Sequence, residues 1–282
     1  MRKETILITG AGTGFGKNIA FRLAEMGYDV IAGVEVMSQV SALEQEAREK
    51  KLEIRLEQLD VTNPKDREKA WGWDIDILVN NAGIKEGGSL VDIPEENLRR
   101  QIEVNAIAPM VLTKEFARKM IKNKKGRIVF VSSISGLAAN PFSGPYAASK
   151  HAVEAFAEAL SMELREFKVE VATINPGPYL TGFNDREFET WKNWDDNPEE
   201  RIFDYEKLAF AMPQFNPDEV TEPAIAVILG ETTSYRNLIP EKMVPVIKEK
   251  MAAVWDKETD VKLGKRHPAV QKSYDAEPGM KA

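Results

Sequence analysis

The chain of 282 residues has no cysteine, so neither a disulfide nor a thiolate nucleophile enters its chemistry, and a reducing compartment such as the cytoplasm suits it. Two histidines are too few for a structural zinc site, and no metal is expected. Long apolar runs are missing as well. Nothing is long enough to cross a bilayer, and the opening run Ile6-Leu7-Ile8 is too short for a secretory leader and stops at once in Thr9-Gly10. Nor is there a basic excess: 38 basic against 45 acidic residues leave a net charge of −7. That balance argues against a general affinity for nucleic acid or an anionic membrane surface. What remains is a soluble, globular chain, 43% hydrophobic, long enough to bury one large α/β core or two small ones.

What is present is an alternation of short apolar runs with helical periods. Strands are predicted at residues 5–9, 30–34, 52–59, 75–79, 127–131, 169–174 and around Leu238. Helices are predicted at 17–26, 41–50, 64–71 (about two turns only), 94–122, from 146 onward, 218–229 and 242–255. The strands are apolar throughout rather than alternating, which indicates a parallel sheet covered on both faces. Residues 183–215 break the pattern, with Phe183, Phe188, Trp191, Trp194, Phe203, Tyr205, Phe210 and Phe215 set among charges. Short helices and loops are expected there. Residues 1–255 form the folded domain in this reading, and 256–282 a polar, loosely attached tail.

The residue types that carry chemistry stand at the ends of the strands. Gly10-Ala11-Gly12-Thr13-Gly14-Phe15-Gly16 lies between the first strand and its helix. Glycines there let backbone approach a pyrophosphate, and the helix N-terminus offers free N–H groups and positive dipole. Glu35 ends the second strand, where a carboxylate hydrogen-bonds a ribose diol and repels a 2′-phosphate. It favours NAD over NADP, while Lys17 just past the glycines leaves NADP open. Asp60, at the end of the third strand, either accepts from an adenine amino group or caps the next helix. Asn105 is polar on an apolar helical stripe of Leu98, Ile102, Pro109, Leu112 and Phe116, and Pro109 lacks the N–H that the Asn105 carbonyl would otherwise receive. A kink with a free carbonyl beside a buried amide can hold a water. Tyr146 and Lys150, four apart, share a helix face that continues through Val153, Ala157, Leu160 and Leu164. The neighbouring cation is expected to draw the Tyr146 phenol below its ordinary pKa of about 10 and so make it an acid/base group.

Thr9-Gly10-x-x-x-Gly14-x-Gly16, Asn80-Asn81-Ala82-Gly83, Asn105, Ser133, Tyr146-x-x-x-Lys150 and Pro176-Gly177-x-x-x-Thr181 together resemble, in order and spacing, the short-chain dehydrogenase/reductase family over about residues 3–182. The resemblance implies a single Rossmann-type domain, doubly wound about a seven-stranded parallel sheet, with a substrate lid at about 183–216. It also implies a homodimer or homotetramer built on the two long helices. By the same resemblance Ser133 would hold the substrate oxygen, Tyr146 would pass the proton, Lys150 would bind the nicotinamide ribose and tune the phenol, and Asn105 would hold a water linking Lys150 to solvent. Gly10, Thr13, Gly14, Phe15, Gly16, Glu35, Asp60, Val61, Asn81, Ala82, Gly83, Pro176, Gly177, Tyr179 and Thr181 would line the cofactor groove with Tyr146 and Lys150. Ser132, Ser135 and His151 are set aside as catalytic groups. The expected activity is NAD-favouring oxidation of a secondary alcohol, or reduction of the ketone, and an aromatic flap suits an apolar or ring-containing small molecule. An epimerase or dehydratase on the same scaffold, and a non-catalytic NAD(H) sensor, are the alternatives.

Overall fold

The computed structural model describes residues 3–259 and 263–277. Seven strands, β1 (Thr5–Ile8), β2 (Asp29–Val34), β3 (Arg55–Gln58), β4 (Ile77–Asn80), β5 (Gly126–Val131), β6 (Val169–Pro176) and β7 (Arg236–Ile239), form one sheet in the order β3-β2-β1-β4-β5-β6-β7. Every neighbouring pair is parallel. The reason the strands read as unbroken apolar runs is visible in β1. Ile6 and Ile8 enter a core with helices α1 (Gly14–Glu25) and α8 (Asp218–Ile228), through Ile19, Leu23, Ala224 and Ile225. Leu7 points the other way, into a core with α5 (Ala108–Asn123) and α6 (Gly144–Glu163), through Leu112, Phe116, Val153 and Ala157. A strand buried on both faces has no polar face to show.

The chain builds outward from β1 to β3, returns, and builds the other way from β4. The carboxyl ends of β1 and β4 therefore diverge at a switch point, where an open parallel sheet forms its ligand crevice. Helices α2 (Met37–Glu49) and α3 (Pro64–Trp71) complete the first half, α3 having the two turns expected.

The helix predicted over 94–122 is not continuous. It consists of α4 (Glu95–Ile102), a π turn at Glu103–Ile107, and α5. Pro109, in the first turn of α5, cannot donate to Asn105, and the ladder widens by one residue, with Ala108 N–H bonded to the Glu103 carbonyl.

After β6 come α7 (Phe183–Glu187), irregular chain with three short 3₁₀ turns, then α8, β7 and α9 (Val244–Ala253). The tail differs from its expected looseness. Pro268–Asp275 forms α10, capped by the His267 ring, which accepts from Ala269 N–H. Val270 and Tyr274 pack on the aromatic segment, and Ala209 N–H bonds to the Ser273 carbonyl at 2.9 Å. Polar composition hides these two anchoring side chains. Residues 260–262 and 278–282 of the stretch lie outside the described residues. Among the described residues no helix is long and apolar enough to cross a membrane.

Candidate active site

A cleft of about 550 Å³ opens at the carboxyl ends of the strands. Most of its wall comes from the segments that follow the strands. The β1 turn supplies Gly10, Thr13, Gly14, Phe15 and Gly16; β2 supplies Glu35; β3 supplies Asp60 and Val61; β4 supplies Asn81, Ala82 and Gly83. Beyond them lie Ser133 after β5, Tyr146 and Lys150 on α6, and Pro176, Gly177, Tyr179 and Thr181 after β6. Only Asn105, of the site residues singled out in the sequence, stands behind the wall rather than in it.

The glycine turn fits a phosphate group for steric reasons. Gly10 has φ +64°, and a Cβ there would come within 2.6 Å of the Ala82 backbone. Gly14 has φ +56°, and a Cβ there would meet nothing within 4 Å, so a hydrogen at that position keeps the groove clear over the start of α1. Asn81 ties the two central strands together: its Nδ2 donates to the carbonyls of Thr9 at 2.9 Å and Gly10 at 3.1 Å. The Thr9 hydroxyl accepts from the N–H groups of Asn81 and Ala82. Asp60 is not the cap of α3. That role falls to Asn63, which accepts from Lys65 N–H. The Asp60 carboxylate instead bends onto the N–H and hydroxyl of Thr62 while facing the cleft.

Lys17 is withdrawn from the groove. It forms an ion pair with Glu46 at 2.6 Å and does not line the cleft. Among the described residues the cleft's basic side chains are Lys85, Arg100, Lys150 and Arg186, none from the β1–β2 half of the sheet.

Asn105 is 1% exposed, and its amide is fully engaged by protein. Oδ1 accepts from Ile84 N–H at 2.8 Å, and Nδ2 donates to the Ile84 carbonyl and to Ser149 Oγ, both at 2.9 Å. The side chain is a brace between the loop after β4 and α6. A water there would have the Asn105 backbone to bind, not its amide.

Ser133 caps a 3₁₀ turn, accepting from Ser135 N–H at 3.1 Å. Its hydroxyl is also near enough to the Tyr146 phenol to favour the ionised form. Lys150 is buried, its Nζ 2.8 Å from the Val131 carbonyl and 5.8 Å from the centre of the Tyr146 ring. Burial pushes the Lys150 ammonium down to about 8, with Glu154 opposing. The expected lowering of the Tyr146 phenol is reversed in this state. Burial raises its pKa well above the ordinary value and outweighs the lowering by the Ser133 hydroxyl, while the Glu187 carboxylate raises it further. A charge beside a phenol lowers its pKa only where desolvation does not dominate.

The aromatic segment divides into two roles, apart from Phe215, which packs on Tyr179 against the core. Phe183, Phe210 and Met212 line the cleft, with the Phe183 ring 6.1 Å from that of Tyr146. Phe188, Trp191, Trp194, Phe203 and Tyr205 instead pack on one another and on Ile93, Phe142 and Leu208. His151 is exposed, its Nδ1 against the Ala147 carbonyl at 2.8 Å.

Sequence reasoning missed Lys85, Ser143, Asn184 and Glu187. Lys85 is the second residue after Asn-Asn-Ala-Gly, so it must lie near the carboxyl end of β4 and the cleft. Nothing in the sequence says that its partners come from the lid.

A family model described as short chain dehydrogenase matches residues 4–192. An uncharacterized oxidoreductase, YusZ of Bacillus subtilis, is 37% identical over 188 residues, covering 64% of this chain and 67% of that protein. A 3-ketodihydrosphingosine reductase of Bacteroides thetaiotaomicron is 35% identical over 191 residues, covering 66% and 67%. The crystal structure of a single-site variant of actinorhodin polyketide ketoreductase with NADPH superimposes with a TM-score of 0.70 at 27% identity, over 84% of this chain and 95% of that one.

Proposed function

Since the chain belongs to the short-chain dehydrogenase/reductase family, we propose that it interconverts a secondary alcohol and a ketone by hydride transfer, with NAD(H) the preferred cofactor and Tyr146 the proton carrier. The observation that carries this reading is the convergence of Ser133, Tyr146 and Lys150 on the floor of a groove whose other end is a glycine cradle. Bound nicotinamide would supply or accept the hydride. The remaining work falls to this chain's own residues. The Ser133 hydroxyl and the Tyr146 phenol would hold the substrate oxygen, and the phenol would give or take its proton. Lys150, with a pKa of about 8, is a proton partner one helical turn from the phenol. Asn105 would keep the loop after β4 at the right height over α6.

The NAD preference rests on the adenosine end. Glu35 faces the cleft, Lys17 is drawn off by Glu46, and among the described residues no basic side chain from that half of the sheet lines the groove. The ketoreductase with NADPH makes NADP the comparison to test. The pocket beyond Tyr146, with Phe183, Phe210 and Met212, suits an apolar or ring-containing substrate. The 3-ketodihydrosphingosine reductase among the relatives points the same way. Exposed Ile107 in the π turn, Val111 on α5 and Met162 on α6 support self-association through the two long helices as a homodimer or homotetramer, and a cytoplasmic location fits the cysteine-free chain.

The test follows nicotinamide absorbance with NAD and NADP in parallel against a panel of secondary alcohols and ketones from small to steroid-sized. Tyr146→Phe, which removes only the transferable proton, is expected to lower kcat/KM about a thousandfold with cofactor affinity within a few-fold. A variant that retains near-wild-type turnover overturns the role given to Tyr146.

A further inference from the structure

Beside the catalytic phenol lies a charge pair that the chemistry above leaves unused. Lys85 Nζ is 2.6 Å from Glu187 Oε2 and 2.8 Å from Asn184 Oδ1. The other Glu187 oxygen accepts from Ser143 Oγ at 2.6 Å. The two charged side chains are 5% and 0% exposed. The ammonium stands 5.1 Å from the centre of the Tyr146 ring and 4.9 Å from that of Phe210, between the phenol and the lid, and Lys85 lines the cleft.

A buried ion pair is a poor source of stability. Apolar side chains of similar volume in place of a buried ion pair are often neutral or stabilising. An ammonium carries three N–H bonds, and Glu187 and Asn184 engage at most two of them. The third has no oxygen acceptor among the described residues, and Lys85 is one of the residues that line the cleft. Its chemistry is also constrained by charge. Glu187 compensates the ammonium at contact distance, so a substrate carboxylate placed there would bury an excess negative charge, whereas an uncharged oxygen would simply accept.

We propose that Lys85 is a specificity-determining residue which donates to a second, uncharged oxygen of the substrate, a hydroxyl or carbonyl one or two carbons from the reacting centre, with Glu187 holding the ammonium in place and excluding carboxylates. The proposal rests on the alcohol–ketone reading above. The substrate class is thereby a hydroxyketone, diol or diketone with an apolar remainder toward Phe183, Phe210 and Met212. Lys85 has no bond to make or break; it sets which molecule is held against Ser133 and Tyr146.

The experiment compares cyclohexanone, 2-hydroxycyclohexanone and 3-oxocyclohexanecarboxylate as probes, in the wild type and in Lys85→Met/Glu187→Gln, which leaves neither charge orphaned. In the wild type kcat/KM for the hydroxyketone is expected to exceed that for cyclohexanone by about tenfold or more, with the carboxylate below both. In the double variant the hydroxyketone-to-ketone ratio falls to near one. A purely structural pair lowers both substrates by the same factor and keeps the ratio, and that result overturns the proposal, as does a wild type that does not discriminate. Should the double variant prove insoluble, Lys85→Arg decides: it relocates the donors, and a ratio changed by less than about threefold overturns the assignment. A wild type that turns over no probe and no member of the wider panel with either cofactor defeats the alcohol–ketone reading itself, an outcome distinct from turnover without discrimination.

Discussion

Burying Lys150 costs folding stability, and the cost has a pH signature. Its ammonium titrates at about 8 in the folded protein against an ordinary 10.5. The folded state therefore sheds this proton before the unfolded state does. Stability from this group rises with pH from about 8 to about 10.5, the opposite of a lysine held by a partner. Below that window, burial of the charge costs about 3 kcal/mol. Integrating the two titrations, about 2 kcal/mol of that is recovered between pH 7 and pH 9.5. Lys150→Met removes the titration and also leaves the Val131 carbonyl without its 2.8 Å donor, a loss of about 1–3 kcal/mol that does not depend on pH. The assay is urea unfolding of cofactor-free wild type and variant at pH 7 and pH 9.5. The buried tyrosines titrate alike in both proteins and cancel in the difference. The wild type is expected to gain about 2 kcal/mol on the variant between the two pH values. Parallel stability curves would refute the burial argument for Lys150 and, with it, the near-neutral proton partner assigned to Tyr146.

Glu35→Arg adds a phosphate partner and removes a repulsive charge, and is expected to shift the ratio of NAD to NADP dissociation constants at least about tenfold toward NADP; cofactor titrations by fluorescence check it. Gly87→Ala places a methyl about 2.4 Å from the Glu187 carbonyl oxygen, so the lid must lift. Loss of about 1–3 kcal/mol and a several-fold rise in KM are expected, read by thermal melting and steady-state kinetics. Tyr274→Ala withdraws a ring from the lid cluster and its hydroxyl from Asp204 N–H. A melting temperature lower by about 2–6 °C and faster protease nicking within residues 183–215 are expected.

The sheet is legible because its strands obey a local rule. Ile6, Leu7 and Ile8 can all be apolar only if both faces are covered, and the glycines and Asn81 mark where two strand ends must approach closely. Pro109 likewise announces a break in its helix, though not that the break is a π turn. The misreadings arise where a distant neighbour decides the outcome. In sequence the Tyr146 phenol has only the lysine one turn away to judge it by, but its environment is set by burial beneath Phe183 and by Glu187 on the lid. Lys85 and Glu187 lie about a hundred positions apart, neither within a periodic pattern, and a partnership at that separation leaves no local trace. The same holds for α10, where Val270 and Tyr274 are outnumbered by polar residues whose composition favours a free tail.

The aromatic cluster around Trp194 and Tyr205 shares no residue with either core flanking the sheet. A cluster with contacts of its own is where local opening is expected first, with the strands and the glycine turn still folded. Affinity for the nucleotide and affinity for the substrate then belong to different parts of the molecule's energy ladder. Mild heat or denaturant should release the second while leaving the first intact.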